Sequence, residues 1–241
     1  MRELGLFCGT FNPVHMGHLL IAESARVDFK LETVYFVVSP EPPHRSVGLL
    51  AGEARYELVK AAVAENPCFQ ASDLELQRPG PSYTVDTVLS MRDLYPDYRI
   101  NLIIGSDNLP FLKDWHRAEE LVSLVRLLVV PRLRIIGRPS DSAAEADSKS
   151  LPASENALEK QATLDLGLSQ QSLCREGLLQ DKEVHLVDFP GVGISASGIR
   201  KRIGERKSIL YMVPAPVNRI ILQKGYYAKN SKVKKKKKKP K

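Results

Sequence analysis

Cysteine is scarce in this 241-residue chain: Cys8, Cys68 and Cys174 are an odd number at spacings that fit no zinc or redox motif. No disulfide framework is expected, and the usage agrees with a reducing compartment. Long hydrophobic runs are also missing. Hydrophobic residues make up 43% of the chain, yet every apolar run is far too short to cross a bilayer. The chain enters a strand directly after Met-Arg-Glu, which leaves no segment for a signal peptide, so a soluble, cytoplasmic protein is expected. Neither a GxxxxGK[ST] loop nor a GxGxxG after a strand occurs, which disfavours a P-loop nucleotidase and an ordinary dinucleotide-binding dehydrogenase.

Two segments lack whole classes of residue. Residues 139–182 hold no aromatic residue, with eight acidic and four basic ones, and read as an acidic, weakly ordered insertion whose best helix candidate is Ser154 to Leu168. Residues 229–241 hold nine lysines and no acid, and read as a disordered, solvated tail that could contact polyanions. The formal net charge of +7 therefore leaves −2 for everything before the tail, so the body is not a basic nucleic-acid binder.

What remains is a chain of alternating elements. Strands are expected at Glu3 to Cys8, Thr33 to Ser39, Phe69 to Ser72, Arg99 to Ser106, Val125 to Val130 and Glu183 to Asp188. Helical periodicity follows the first strand and recurs at Gly52 to Glu65, at Tyr83 to Leu94, in short pieces up to Ser123, and after Ser197. This order predicts a Rossmann-like, doubly wound, mostly parallel sheet with helices on both faces. A single domain over 1–228, interrupted by the insertion, is the expected organisation. Ligands in such sheets sit beyond the carboxyl ends of the strands.

The run GTFNPVHMGH, Gly9 to His18, lies at such an end, where the first strand turns into a helix. A helix start offers unpaired N–H groups and a partial positive charge, both favourable to phosphate. Gly9 lets the backbone approach a ligand, and His15 and His18 fall on one helical face. By itself the HxxH spacing also reads as a helix cap or as half of a metal site. A second candidate phosphate grip is GISASGIRKRI, Gly193 to Ile203, where Ser195 and Ser197 precede a helix carrying Arg200. Alone, that segment reads equally as an N-cap with a solvated basic face.

The order T-F-x-P-x-H-x-G-H over 10–18 resembles the signature of the HxGH nucleotidyltransferases, and ISASGIR resembles their ISxTxxR segment, with Ser197 where threonine is common. Together with PPHR at 42–45, RPGPSYTVDT at 78–87, IGSD at 104–107 and Trp115-His116, the chain from about Leu4 to Tyr227 is similar to the bacterial-type nicotinate/nicotinamide mononucleotide adenylyltransferase family. Asn12 stands where aspartate is usual and Arg45 where lysine is common. Asn12 also occurs in relatives that prefer the amide substrate.

The resemblance implies in-line attack of a nucleotide phosphate on the α-phosphorus of ATP, with nicotinate mononucleotide as acceptor and Mg²⁺ carried by the nucleotide rather than by protein ligands. It implies His15, His18 and Arg200 as catalytic residues, and Gly9, Thr10, Phe11, Gly105, Asp107, Ser195 and Ser197 beside them in an ATP site. Asp107 would hold the ribose or, read from the sequence alone, cap a helix. Thr84, Trp115 and the backbone near Tyr83 would form a pyridine pocket, and Arg45 would contact phosphate. Trp115 reads alternatively as core and Arg45 as an exposed loop residue. The alternatives left open are an enzyme for the amide or for both forms, a relative with another acceptor, and a non-catalytic nucleotide-binding or nucleic-acid-binding protein. A homo-oligomer is compatible with all of them.

Overall fold

The computed structural model describes residues 1–40, 48–131, 177–189 and 191–228. The PPHR loop with Arg45, the Ser154 to Leu168 helix candidate and the lysine-rich tail lie outside the described residues.

Six strands, β1 (Arg2–Gly9), β2 (Thr33–Val38), β3 (Phe69–Ser72), β4 (Tyr98–Gly105), β5 (Arg126–Val130) and β6 (Val184–Leu186), form one sheet in the order β3-β2-β1-β4-β5-β6. All five pairings are parallel, for example Leu6 beside Tyr35 of β2 and Leu102 of β4. Sequences such as TVYFVV and RLLVV form strands here because both faces are covered, so apolar, β-branched residues are needed at successive positions.

The alternation of side chains divides the core in two. Phe7, Phe36, Ile103 and Leu128 face one layer, built with α1 (Met16–Asp28), α2 (Gly52–Val63), α5 (Ala196–Gly204) and α6 (Ala215–Lys224). Leu6, Val37, Leu102 and Leu127 face the other, built with α3 (Thr84–Leu94) and α4 (Ala118–Leu124). The predicted doubly wound sheet is therefore the observed one. α6 was not foreseen, although Pro214 before its first turn and Gly225 in the left-handed region after its last residue are standard helix punctuation. Residues 106–114 are a 3₁₀ segment, and no helix among the described residues is long and apolar enough to cross a membrane.

Strand order reverses between β1 and β4. From β1 the chain builds outward to β2 and β3, and from β4 outward to β5 and β6, so the loops after these two central strands diverge and leave a crevice.

Candidate active site

A cleft of about 240 Å³ opens at that crevice, lined by Cys8, Gly9 and Thr10 from the end of β1, by Ile104 of β4 and by Asn108 of the 3₁₀ segment that follows it. Ser82 and Thr84 at the start of α3 and Trp115 after the 3₁₀ segment complete its walls, with Glu75 and Ser39 among the lining residues. Trp115 is half-buried against the α3/α4 core, so it serves both as core and as pocket wall.

The first motif is held by ring packing. Phe11 takes a left-handed backbone (φ 45°) and is 3% exposed, with its ring set edge-on to the His18 ring at 5.1 Å between centroids. It is thus a buried support under His18. His15 and His18 stack at 3.6 Å with 24° between their planes. A Cβ on Gly17 would lie 3.1 Å from two ring atoms of His15, so any side chain there would push the imidazole aside by a few tenths of an ångström, which suits the glycine of the HxGH pattern. The helix-cap alternative is realised in part, because the His15 N–H donates to Nδ1 of His18 (3.1 Å) at the start of α1. A neutral imidazole that accepts at Nδ1 carries its proton at Nε2, the form suited to donating to a phosphate oxygen.

The second motif is joined to the first. Ser195 is the N-cap of α5, its Oγ accepting from the Gly198 N–H (3.1 Å) and lying 3.3 Å from the Ser197 Oγ. The Arg200 guanidinium donates to the Asn12 carbonyl (2.8 Å), which brings α5 against the turn that leads into α1. The side chain of Asn12, 5% exposed, is wholly engaged: Nδ2 donates to the Gly48 carbonyl (3.2 Å), and Oδ1 accepts from the Leu50 N–H (3.3 Å) and the Tyr227 hydroxyl (2.7 Å). Burial pushes the Tyr227 phenol up from its ordinary value.

Gly105 ends β4 at the crevice, where a Cβ would collide with the Asp107 carboxylate. Asp107 lies in the first turn of the 3₁₀ segment, whose N-cap is Gly105, so the helix-cap alternative for Asp107 is not what the structure shows. Tyr83 is 41% exposed at the N-cap of α3 and stacks on His116 (4.1 Å, 28°) at the rim of the cleft.

Three features escaped the sequence. Arg55 of α2 is fully buried and donates to three backbone carbonyls: Leu50 (2.9 Å), Thr10 (2.7 Å) and Pro40, which follows β2. Tyr227 reaches Asn12 across 215 positions. At the wall of the cleft, Glu75 (3% exposed) accepts from the Thr87 hydroxyl at 2.8 Å. No local signal marks these residues, since each matters only through a distant partner.

Burial raises the Glu75 carboxyl above the ordinary glutamate value, against the opposing hydrogen bond from Thr87 and the charge of Arg78. Burial, and then the charge of Glu75, likewise raise the Cys8 thiol well above its usual value, which makes it an unreactive wall group. A carboxyl whose folded-state value is raised stabilises the fold at acid pH and loses that contribution as pH rises above the ordinary range and through the raised value. Glu75→Gln keeps an acceptor for Thr87 without the charge. Its urea midpoint, compared with that of the parent, is expected to gain as pH rises above the ordinary glutamate value of about 4; a difference that shrinks as pH rises would contradict the sign.

A cytidylyltransferase-like family model matches residues 6–202. A protein of Shouchella clausii named "Probable nicotinate-nucleotide adenylyltransferase" is 36% identical over 232 residues, covering 96% of this chain and 100% of that protein. One of the same name from Cytophaga hutchinsonii is 36% identical, covering 94% and 98%. The fold is shared with the Plasmodium falciparum nicotinic acid mononucleotide adenylyltransferase complexed with NaAD, at a TM-score of 0.64 and 15% identity over 94% of this chain and 98% of that one. With its two motifs joined beside the switch point of a six-stranded parallel sheet, this chain belongs to the cytidylyltransferase-like nucleotidyltransferases and, within them, to the nicotinate-nucleotide adenylyltransferase family.

Proposed function

We propose that the protein joins nicotinate mononucleotide to the AMP part of ATP, releasing pyrophosphate and forming nicotinate adenine dinucleotide, a step of NAD biosynthesis. The observation that carries this is the Arg200 to Asn12 contact, which sets the serine-capped start of α5 beside His15 and His18, next to a cleft walled by Trp115 and the start of α3. One end of the crevice suits phosphates and the other suits a flat ring.

The acceptor's phosphate is mostly dianionic near neutral pH, with a second pKa of about 6, so no strong general base is needed. Catalysis is then positioning and charge stabilisation. His18 donates from Nε2 to the transferring phosphoryl group, and His15, stacked on it, orients the triphosphate. Ser195, Ser197 and Arg200 hold the β- and γ-phosphates, while Gly9 and Thr10 let the chain pass close to them. Asp107 accepts from the ribose hydroxyls of adenosine beside Gly105. Thr84 and Trp115, with the backbone at Tyr83, take the pyridine ring. Arg45 is assigned to a phosphate contact on its motif alone.

Nucleotidyltransferases of this kind use a divalent metal with ATP. The groups proposed to face the phosphates are imidazoles, hydroxyls and a guanidinium, which fit phosphate oxygens rather than a cation. A divalent metal such as Mg²⁺ would therefore be carried by the nucleotide, where it would supply charge neutralisation for the leaving pyrophosphate. A cytoplasmic location suits substrates of this kind.

The start of α3 favours an acidic ring substituent, because backbone N–H groups and a partial positive charge at a helix start are worth about 1–2 kcal/mol to an anion in a partly buried setting. Pyrophosphate release measured with ATP, Mg²⁺ and either nicotinate or nicotinamide mononucleotide is expected to favour the acid by about five- to thirtyfold. Equal rates would indicate an enzyme for both forms, and release with neither acceptor would overturn the proposal.

Asn12 does not bear on this choice, since every polar atom of its side chain is spent on Gly48, Leu50 and Tyr227. Asn12→Asp is expected to leave the acid-to-amide ratio within about twofold. It should cost about 1–3 kcal/mol of stability, because a carboxylate oxygen would face the Gly48 carbonyl without a donor. Paired kcat/KM values and a urea titration check both parts.

A further inference from the structure

We infer that Glu75, Thr87 and Arg78 are positioning residues that set the start of α3 and thereby the enzyme's affinity for its acceptor and its preference for an acidic ring; the inference rests on the acceptor site proposed above.

The start of α3 has no side-chain cap, as is also true of α2, α4 and α6; what distinguishes it is the cleft at its end. Its N-cap is Tyr83, whose side chain makes no capping hydrogen bond and instead stacks on His116 at the rim. Helix starts are ordinarily satisfied by a Ser, Thr, Asp or Asn side chain, as α5 is by Ser195. At α3 the residues flanking the N-cap, Ser82 and Thr84, line the cleft. A helix start left without a side-chain cap beside a cleft is suited to being capped by an anionic ligand, provided something else holds it in place.

The buried face of the helix does so. Thr87, one turn in and fully buried, donates its backbone N–H to the Tyr83 carbonyl (3.2 Å) and its hydroxyl to Glu75 (2.8 Å). Arg78 reaches across the same turn, donating to the Ser82 hydroxyl before the helix, to Thr87 Oγ1 (3.3 Å) and, through its other terminal nitrogen, to the Ser90 hydroxyl (3.2 Å). Between Arg78 and Ser82 the chain reverses at Gly80, whose φ of +86° suits glycine. One guanidinium thus ties the loop before α3 to the second turn of the helix, and one buried carboxyl anchors the residue between them. A planar fork can make these contacts together, whereas a lysine could satisfy only one side.

Arg78 and Thr87 do not line the cleft, and Glu75, which does, is spent on Thr87; the three act through the backbone of Ser82, Tyr83 and Thr84. Their loss should therefore move the acceptor's KM and leave the ATP end, built from β1, α1 and α5, largely unaffected. A misplacement of about 1 Å costs up to roughly a hundredfold. The experiment is steady-state kinetics on the full chain with ATP, Mg²⁺ and each mononucleotide, for Thr87→Val, Thr87→Ser and Arg78→Met, alongside melting temperatures. Thr87→Val should raise the KM for nicotinate mononucleotide about ten- to a hundredfold, with the KM for ATP within about twofold, and should lower the acid-to-amide ratio. Thr87→Ser, which keeps the hydroxyl, should restore both. If Thr87→Val does not fold, Arg78→Met gives the same readout from the partly exposed side of the network.

Folded variants whose acceptor KM is unchanged would overturn the inference. So would variants in which both KM values and kcat shift together without rescue by serine, since that is the pattern of a purely structural role. A parent protein that transfers to neither mononucleotide would refute the acceptor site itself, and this inference with it; a parent that transfers while the variants behave normally refutes only the inference.

Discussion

His18→Ala is expected to lower turnover about 10²- to 10³-fold, the loss seen when one donor to developing charge is removed from a preorganised site. The side chain does two separable things. Its Nδ1 accepts the His15 N–H at the start of α1, and its ring packs on His15 and against the edge of Phe11. Removing the first role costs about 1 kcal/mol, as for other helix-start acceptors, and leaves the protein folded. The second variant needed is therefore His18→Asn, whose short side chain can accept at the Nδ1 position but cannot place a donor where Nε2 lies. If the stabilising group is the Nε2 proton, both variants lose turnover while the asparagine variant keeps the parent's melting temperature. Turnover within about threefold of the parent in folded His18→Ala would refute the assignment.

Arg55→Met is expected to destabilise the protein by about 3–5 kcal/mol, the range for breaking a buried, fully satisfied hydrogen-bond network. The substitution keeps the buried volume but strips donors from the carbonyls of Leu50, Thr10 and Pro40. For a chain of this size that corresponds to a fall of roughly 6–20 °C in Tm. Two of the three carbonyls, those of Thr10 and Pro40, border the cleft, so the loss should also reach catalysis. Arg55→Lys should recover little, because an ammonium on a flexible stem cannot reach three acceptors that a guanidinium fork meets at once. A thermal melt of Arg55→Met within about 2 °C of the parent would show that water or local relaxation replaces the lost donors.

The strands and the first motif were legible in the sequence for the same reason. A parallel strand covered on both faces must be apolar at consecutive positions, and a strand-to-helix turn that grips phosphate uses neighbouring residues, so in both cases the requirement is local. Gly17 shows the limit of that legibility. Its place in the HxGH pattern is visible in the sequence, but the reason for it, a His15 ring 3.1 Å from where a Cβ would stand, is visible only in the folded chain. Phe11, placed by the motif among nucleotide-site residues, turns under the histidine ring and becomes core. α6 was missed despite its proline and glycine punctuation, since it carries no chemical motif; its apolar Val217 and Ile221 acquire meaning by packing in the same core as α2.

The sequence by itself determined the architecture and the family and marked the two candidate phosphate segments, because burial on both faces of a sheet and contiguous motifs are written in short-range order. Only the tertiary structure decided how those segments are held: Arg200 on the Asn12 carbonyl, Tyr227 on its side chain, Arg55 beneath three loop carbonyls, and Glu75 with Thr87 under the start of α3. A buried polar group must find a partner wherever folding brings one close, and the separations here run from 5 to 215 positions. The spacing of residues along the chain carries no record of that distance in space.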